Sequence, residues 1–166
     1  SVAGIYIDNC EYITVDNNNI ISPDLIGIHI PAGTANRATL KNNYIYQANG
    51  GGIRCYSPSA IITDNTIEDT GLLENINKST YTSFDNFGTG ILSRSDYPTI
   101  NYNRIINSGY CGINWVGKKG SIKYNFIDGA CQTLDDGGGI YTYNNSIPTA
   151  SAGSEVMYNI ISNVHG

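Results

Sequence analysis

An acidic pair beside a glycine run is the first candidate for chemistry in this sequence. Asp135 and Asp136 are followed by three glycines at 137–139, which leave open space and let the backbone approach a ligand closely. Two carboxyl groups, one donating a proton and one acting as base or nucleophile, usually hydrolyse a glycosidic bond. Asp135 and Asp136 are therefore predicted catalytic carboxylates, although a turn aspartate can also bond only its own backbone. The candidates for a partner carboxylate are Asp96, Asp85 and Glu74.

Residues for other chemistries are sparse. The two histidines are too few for a His-based metal site, and the four cysteines show no metal-ligand spacing. The calcium-binding glycine repeat, the phosphate loop and the nucleophile elbow are all absent from the sequence. We therefore predict no metal and no cofactor for a hydrolase, and leave open a disulfide between Cys111 and Cys131.

Charge and hydropathy restrict the partners. The 166 residues include nine basic and fourteen acidic side chains, a formal net charge of −5. A nucleic-acid partner is not expected, because phosphate binding needs a basic stripe. No apolar run is long enough to cross a membrane. Since acidic surfaces are common in secreted proteins, we expect an extracellular or cell-surface location.

A repeated signature indicates the elements that must position these residues. The form [Val/Ile/Leu]-x-x-Asn-x-Ile recurs six times, and a Gly-Ile strand precedes each copy. The sequence contains 25 Ile, 21 Asn, 19 Gly and 13 Tyr but only 6 Leu, which is typical of strands and tight turns. The signature asparagines are Asn18, Asn43, Asn65, Asn103, Asn125 and Asn159, and the strand glycines are Gly4, Gly27, Gly52, Gly90, Gly112 and Gly139.

The spacing of the signature predicts the fold. Successive signature asparagines are 25, 22, 38, 22 and 34 residues apart, which gives coils of about 22 residues with insertions. We predict an all-β, right-handed parallel β-helix, a solenoid of six coils forming one domain over residues 1–166. The asparagines should stack as a ladder at one turn. A leucine-rich repeat is disfavoured, because Ile replaces Leu and no segment has helical periodicity.

The two ends of the chain carry no polar cap or amphipathic helix. Repeat solenoids need such caps for solubility. We therefore expect the chain to be a fragment of a longer solenoid, whose uncapped ends could associate end to end.

The Gly-Ile strands and Asn-x-Ile turns resemble the repeats of right-handed parallel β-helix proteins over essentially the whole chain. That group includes pectate and alginate lyases, polygalacturonases, mannuronan epimerases, several glycoside hydrolase families and phage tailspikes. Residues 134–142 also look like the Asp-x-Gly-x-Ile-Tyr segment of secreted β-helix glycoside hydrolases. The resemblance implies a carbohydrate-active protein, while fold alone does not determine the reaction.

The same resemblance implies that sugar binds along the sheet made by the Gly-Ile strands. Because side chains alternate across a strand, every second residue of these strands should face outward. The insertions at 68–89 and 128–138 should wall a groove at one edge of the sheet, and 144–154 should leave from the other. The predicted substrate-binding residues are His29, Arg54, Tyr56, Arg94, Asn114, Tyr141 and Tyr143.

Three functions remain open for a polysaccharide or oligosaccharide partner. The favoured hypothesis is a secreted glycoside hydrolase that uses Asp135, Asp136 and Asp96. The second is a uronate lyase or epimerase, in which Arg54, Arg94, His29 and Tyr141 neutralise the carboxylate and move the proton, with Ca²⁺ as a possible cofactor. The third is a non-catalytic adhesin or tailspike-like stalk that binds glycans without cleaving them.

Overall fold

The computed structural model describes residues 3–33, 35–73, 87–143 and 151–165. Within these ranges the regular structure is all strand, and no helix there is long and apolar enough to span a membrane. The strands in chain order are β1 (Ala3–Tyr6), β2 (Cys10–Glu11), β3 (Thr14–Asp16), β4 (Asn19–Ile21), β5 (Ile26–Ile30), β6 (Ala35–Asn36), β7 (Thr39–Lys41), β8 (Tyr44–Tyr46), β9 (Gly51–Cys55), β10 (Ile61–Thr63), β11 (Thr66–Thr70), β12 (Thr89–Arg94), β13 (Thr99–Asn101), β14 (Arg104–Ser108), β15 (Ile113–Val116), β16 (Ser121–Lys123), β17 (Phe126–Asp128), β18 (Ile140–Tyr141), β19 (Glu155–Met157) and β20 (Ile160–Ser162).

The strands form three six-stranded parallel sheets that run the length of the solenoid. The first sheet has the order β1-β5-β9-β12-β15-β18, and each of its strands comes from one of the six Gly-Ile segments. The second sheet contains β3, β7, β10, β13, β16 and β19, and the third contains β4, β8, β11, β14, β17 and β20. Strands β2 and β6 form a small additional pair. The right-handed parallel β-helix predicted from the repeat is therefore confirmed.

The two repeated signatures occur together because they pack on each other. A Cβ atom placed on Gly52 would lie 2.5 Å from Ile67 Cγ2, and one on Gly90 would lie 2.7 Å from Ile105 Cγ2. Each glycine thus admits the signature isoleucine of its own coil into the core. The same contact recurs at Gly4 with Ile20, Gly27 with Ile45, Gly112 with Ile127 and Gly139 with Ile161.

The predicted asparagine ladder is also confirmed. Asn65 Nδ2 donates to Asn103 Oδ1 at 2.9 Å and to the Leu40 carbonyl at 2.9 Å. Asn65 Oδ1 accepts from both the backbone N–H and Nδ2 of Asn43, each at 3.0 Å. Because each side chain bonds the coil on either side, the ladder satisfies buried backbone groups at a turn where strand pairing stops.

Three left-handed corners turn each coil from one sheet to the next. At most of these corners a residue other than glycine adopts φ between 49° and 61°, a region that non-glycine residues adopt rarely. The first corner, between the first and second sheets, carries Tyr12, Arg37, Ser59, Tyr97 and Lys119. The second corner, just before the asparagine ladder, carries Asn17, Asn42, Asp64, Tyr102, Tyr124 and Tyr158. The third carries Ser22, Gln47, Asp69, Asn107 and Asn163.

Candidate functional site

The row of side chains predicted on the first sheet forms in register. His29 pairs with Arg54, and Arg54 in turn lies opposite Leu92. Tyr56, Arg94 and Tyr143 follow two residues farther along their strands. Strand alternation therefore placed the row correctly; in coil order it contains Tyr6, His29, Arg54, Leu92, Asn114 and Tyr141.

The centre of this row is buried, which corrects the expectation of a solvent-facing row. Arg54 is 4% exposed and Asn114 is 3% exposed, whereas Tyr6 at one end of the row is exposed and Tyr141 at the other end is half-buried. Phe87, which comes just before the fourth Gly-Ile strand, lies with its ring 5.6 Å from the Arg54 guanidinium carbon. The alternation of side chains along a strand predicts which face of the sheet a residue lies on, but it does not predict which residues pack over that face. Among the residues that the structure describes, the side chains at the centre of the first sheet therefore do not line an open groove.

His29 lies in an environment that favours its neutral form. Burial lowers its pKa, and the positive charge of Arg54 lowers the pKa further. The Tyr6 ring meets the imidazole edge-on at a centroid distance of 5.3 Å. Within the described chain, Nδ1 is buried and has no hydrogen-bond partner. Burial and the neighbouring positive charge therefore keep the imidazole neutral and disfavour its protonation.

The predicted catalytic aspartates lie at opposite edges of the first sheet. Asp135 and Asp136 are exposed in the loop that enters β18, where the Tyr110 hydroxyl donates to the Asp136 carbonyl at 2.8 Å. Asp96 follows the end of β12, and crossing that six-residue strand takes about 16 Å. Glycosidase carboxyl pairs lie about 5–9.5 Å apart. The width of the sheet therefore separates Asp96 from Asp135 and Asp136 by more than that range, and the structure does not bring the three together.

Several predicted features fall outside the described residues. The alternative partner carboxylates Glu74 and Asp85 lie in the segment 74–86, and much of the third insertion lies in 144–150. The described parts of the other two insertions do meet at the entering edge of the first sheet. There the Thr133 hydroxyl donates to the carbonyls of Gly109 at 3.1 Å and Gly71 at 3.4 Å.

A cavity of about 710 Å³ opens at the first corner, beside coils one to four. It brings together two predicted site residues, Arg94 and Asp96, with aromatic and polar side chains from the neighbouring coils. The residues that line it are Glu11, Tyr12, Asn36, Arg37, Pro58, Ser59, Arg94, Ser95, Asp96 and Tyr97.

A small residue in a row of large ones creates this cavity. At the first corner the Arg37 guanidinium carbon lies 5.5 Å from the Tyr12 ring centroid, and Lys119 Nζ lies 5.7 Å from the Tyr97 ring centroid. Ser59 occupies the coil between these two cation–π pairs. Since coils repeat at about 4.8 Å, Arg37 and Tyr97 lie about 9.6 Å apart along the axis. The short serine side chain therefore leaves a gap between a guanidinium and an aromatic ring.

Hydrogen bonds fix the floor of the gap. The Ser59 N–H donates to the Asp96 carbonyl at 2.9 Å, and the Lys118 N–H donates to Asp96 Oδ1 at 2.9 Å. Ser95 Oγ donates to the Ser57 carbonyl at 2.7 Å. The Asp96 carboxylate is exposed and held in place, so it can accept hydrogen bonds from a ligand hydroxyl.

A second cavity of about 450 Å³ adjoins the first on the side of the first sheet, beside coils one to three. The two cavities share Glu11, Asn36 and Pro58 as lining residues. At the boundary Asn36 Nδ2 donates to Glu11 Oε1 at 3.2 Å. The surface recess therefore extends along the solenoid axis over coils one to four and also reaches back toward the first sheet.

Sequence reasoning missed the corner residues that shape the cavity. Tyr12, Arg37 and Tyr97 lie outside the Gly-Ile strands, so the alternation argument did not reach them. A signal was present, because each residue of the first corner stands six positions before a signature asparagine. Aligning the coils on that asparagine shows Ser59 as the small member of the row.

The cysteines carry no bridge, and burial disfavours ionisation of the buried thiols. All four are free, including Cys111 and Cys131, between which a disulfide had been left open. Burial raises the pKa of Cys55 to about 11 and that of Cys111 to about 12, so both remain protonated at neutral pH. Within the described ranges, no three His, Cys, Asp or Glu side chains lie together so as to hold a metal ion.

Comparison with known proteins identifies a family. The model of the family described as "right handed beta helix region" matches residues 2–166, and the chain belongs to that family. No curated protein and no solved structure gave a significant match. Members of the family include polysaccharide-processing enzymes and adhesins.

Proposed function

We propose that this right-handed β-helix protein binds an extracellular polysaccharide, and that one sugar ring occupies the gap between Arg37 and Tyr97. The observation that carries the proposal is the cavity at Ser59, with an aromatic ring on one side and charged hydrogen-bonding groups around it. The family includes proteins that process or adhere to polysaccharides, which supports the class of ligand.

The Tyr97 ring provides a stacking surface. Lys119 belongs to the following coil and covers the ring face turned away from the gap. The opposite face points toward Ser59, and the side chain is 50% exposed. A sugar ring presents C–H groups on its face and hydroxyls at its edge. It can therefore lie on Tyr97 while its hydroxyls stay in the polar part of the cavity.

The polar groups around the gap match a sugar hydroxyl pattern. Arg37 offers N–H donors, since its side-chain hydrogen bond within the described chain, from Nη1 to the Tyr12 hydroxyl at 3.2 Å, uses only one of its five. Asp96 provides an acceptor at the opposite wall. Donors and acceptors on both sides of a stacked ring determine its orientation and distinguish one sugar from another.

The separation of the carboxylates that the structure describes in this cavity favours binding without hydrolysis. Glu11 and Asp96 both line it but stand three coils apart, about 14 Å along the axis. This separation exceeds the about 6.5–9.5 Å of an inverting pair. A glycan-binding role therefore takes precedence over the hydrolase that the acidic pair before the glycine run suggested.

A panel of polysaccharides and oligosaccharides tests the proposal by calorimetric binding to the whole chain. Replacement Tyr97→Ala removes the stacking surface, worth about 0.5–1.5 kcal/mol beyond burial, so Kd should rise up to about tenfold. Tyr102→Ala is the matched control, because Tyr102 lies in the same coil, at a left-handed corner, and is 56% exposed. The Tyr102→Ala variant should bind the same sugar with the Kd of the unmodified protein.

A second variant fills the gap without removing a ligand contact. Ser59→Tyr places a large ring at a corner that already accepts tyrosine in two other coils, so the fold should persist while binding is lost. Full affinity in both Tyr97→Ala and Ser59→Tyr would refute the site. New reducing ends in the same incubation would show hydrolysis, and ultraviolet absorbance from unsaturated uronates would show elimination; either result would replace pure binding with catalysis.

A further inference from the structure

Three tyrosines form a stack at the second corner, away from the cavity. The rings of Tyr102 and Tyr124 have centroids 4.9 Å apart and planes 6° apart. The rings of Tyr124 and Tyr158 have centroids 5.1 Å apart and planes 12° apart. All three side chains are exposed, so their ring edges and hydroxyls are open to solvent.

The backbone of three successive coils holds the stack. The Tyr102 N–H donates to the Lys123 carbonyl at 3.2 Å, and the Tyr124 N–H donates to the Met157 carbonyl at 3.3 Å. Each tyrosine precedes an asparagine of the ladder and has φ between 57° and 60°. The spacing of the rings therefore follows the coil spacing and does not depend on a chance side-chain conformation.

We propose that this stack is a site of oxidative cross-linking, at which adjacent tyrosines couple to dityrosine. A haem peroxidase with hydrogen peroxide removes one electron and one proton from each of two phenols. The two phenoxyl radicals then join through a bond between their ortho carbons, and each ring loses its ortho hydrogen as a proton when it regains aromaticity. The phenolic oxygens are reprotonated, and one peroxide is reduced to two waters.

Geometry distinguishes this stack from the tyrosines of the first corner and from the pair Tyr141 and Tyr143. At the first corner, Tyr12 and Tyr97 face cationic side chains, so neither has a tyrosine in the next coil. Tyr141 and Tyr143 are tilted by 34° with centroids 6.5 Å apart. Stacking at the coil spacing keeps adjacent tyrosine rings in contact, and because the side chains are exposed they can turn about Cα–Cβ and Cβ–Cγ so that their ortho carbons meet. Coupling should therefore occur within one chain, between Tyr124 and one of its two neighbours.

Such a bond would join neighbouring coils covalently. In a solenoid, each coil is stabilised mainly by its two neighbours, and the coils can separate locally. A dityrosine from Tyr124 to Tyr102 or Tyr158 would prevent that separation at one corner. The inference is independent of sugar binding, because the stack and the cavity occupy different corners.

Peroxidase and hydrogen peroxide added to dilute protein test the proposal. The expected product is a monomer on a denaturing gel, lighter by two hydrogens, with blue dityrosine fluorescence and a cross-linked peptide pair containing Tyr124. Tyr124→Phe keeps a ring in the stack but cannot form a phenoxyl radical. It leaves Tyr102 and Tyr158 about 9.6 Å apart, so intrachain dityrosine should fall to the background of the untreated protein.

Tyr97→Phe is the matched control and should leave the dityrosine yield unchanged. Circular dichroism of each variant confirms that the β-helix is intact. The proposal is overturned if Tyr124→Phe retains the yield, if the cross-link maps to other tyrosines, or if only cross-linked dimers appear.

Discussion

Removal of one asparagine from the middle of the ladder should come close to unfolding the protein. Asn103 is 1% exposed. Its Nδ2 donates to the Ile62 carbonyl at 2.9 Å and to Asn125 Oδ1 at 3.0 Å. Its Oδ1 accepts from the Asn65 backbone N–H at 3.1 Å and from Asn65 Nδ2 at 2.9 Å. Asn103→Ala deletes all of these bonds at once.

The magnitude follows from the groups that lose a partner. The Asn65 N–H and the Ile62 carbonyl belong to coils on which Asn103 packs, and each loses the bond from the Asn103 side chain. A buried polar group left unsatisfied costs about 1–3 kcal/mol. The free energy of unfolding should therefore fall by about 2–6 kcal/mol, against a total of about 5–15 kcal/mol for a typical domain.

Urea unfolding followed by circular dichroism measures this loss. Asn19→Ala is the control, because Asn19 is an exposed asparagine in the same signature; it should change the free energy of unfolding by less than about 0.5 kcal/mol. Equal unfolding midpoints for the two variants would refute the reasoning, since the ladder would then contribute no more than a surface amide.

Two further predictions concern packing and protonation. Gly90→Ala would place a Cβ atom 2.7 Å from Ile105 Cγ2 and from a backbone carbonyl of the next coil. Thermal unfolding should therefore show that the free energy of unfolding falls by about 1–3 kcal/mol. The control Gly138→Ala, whose new Cβ atom would have its nearest contact at 3.4 Å, should leave the free energy of unfolding almost unchanged. Burial and Arg54 lower the pKa of His29 in the folded state, so the unfolded chain binds its proton first. The free energy of unfolding should therefore fall as pH drops below about 6.5; an equally steep pH dependence in His29→Gln would show that another group is responsible.

The repeat alone was sufficient to predict the fold. A strand glycine and an Asn-x-Ile turn recur together because the glycine admits the isoleucine of its coil, as Gly52 admits Ile67. The asparagine at each turn bonds the coils on both sides, as Asn65 does. These contacts link equivalent positions of the repeat, so the residues that make them recur in the sequence with the period of the coil.

The predicted site was only partly reachable from the sequence. Alternation along the Gly-Ile strands correctly aligned His29 and Arg54 on one face. It could not show that this face is covered at its centre, or that Asp96 and Asp136 lie at opposite edges of the sheet. Both facts depend on the path of the chain between strands, and the insertions that set this path have no period.

The sequence by itself therefore determined the coil, the core and the direction of each strand residue, because those features follow from a repeated local pattern. Only the tertiary structure decided where a ligand can enter and which side chains stack. The gap at Ser59 and the stack at Tyr124 arise when residues far apart in sequence occupy the same corner of successive coils. A sequence motif covers only residues that are close together in the chain, whereas the coil spacing of about 4.8 Å brings residues of different coils into contact.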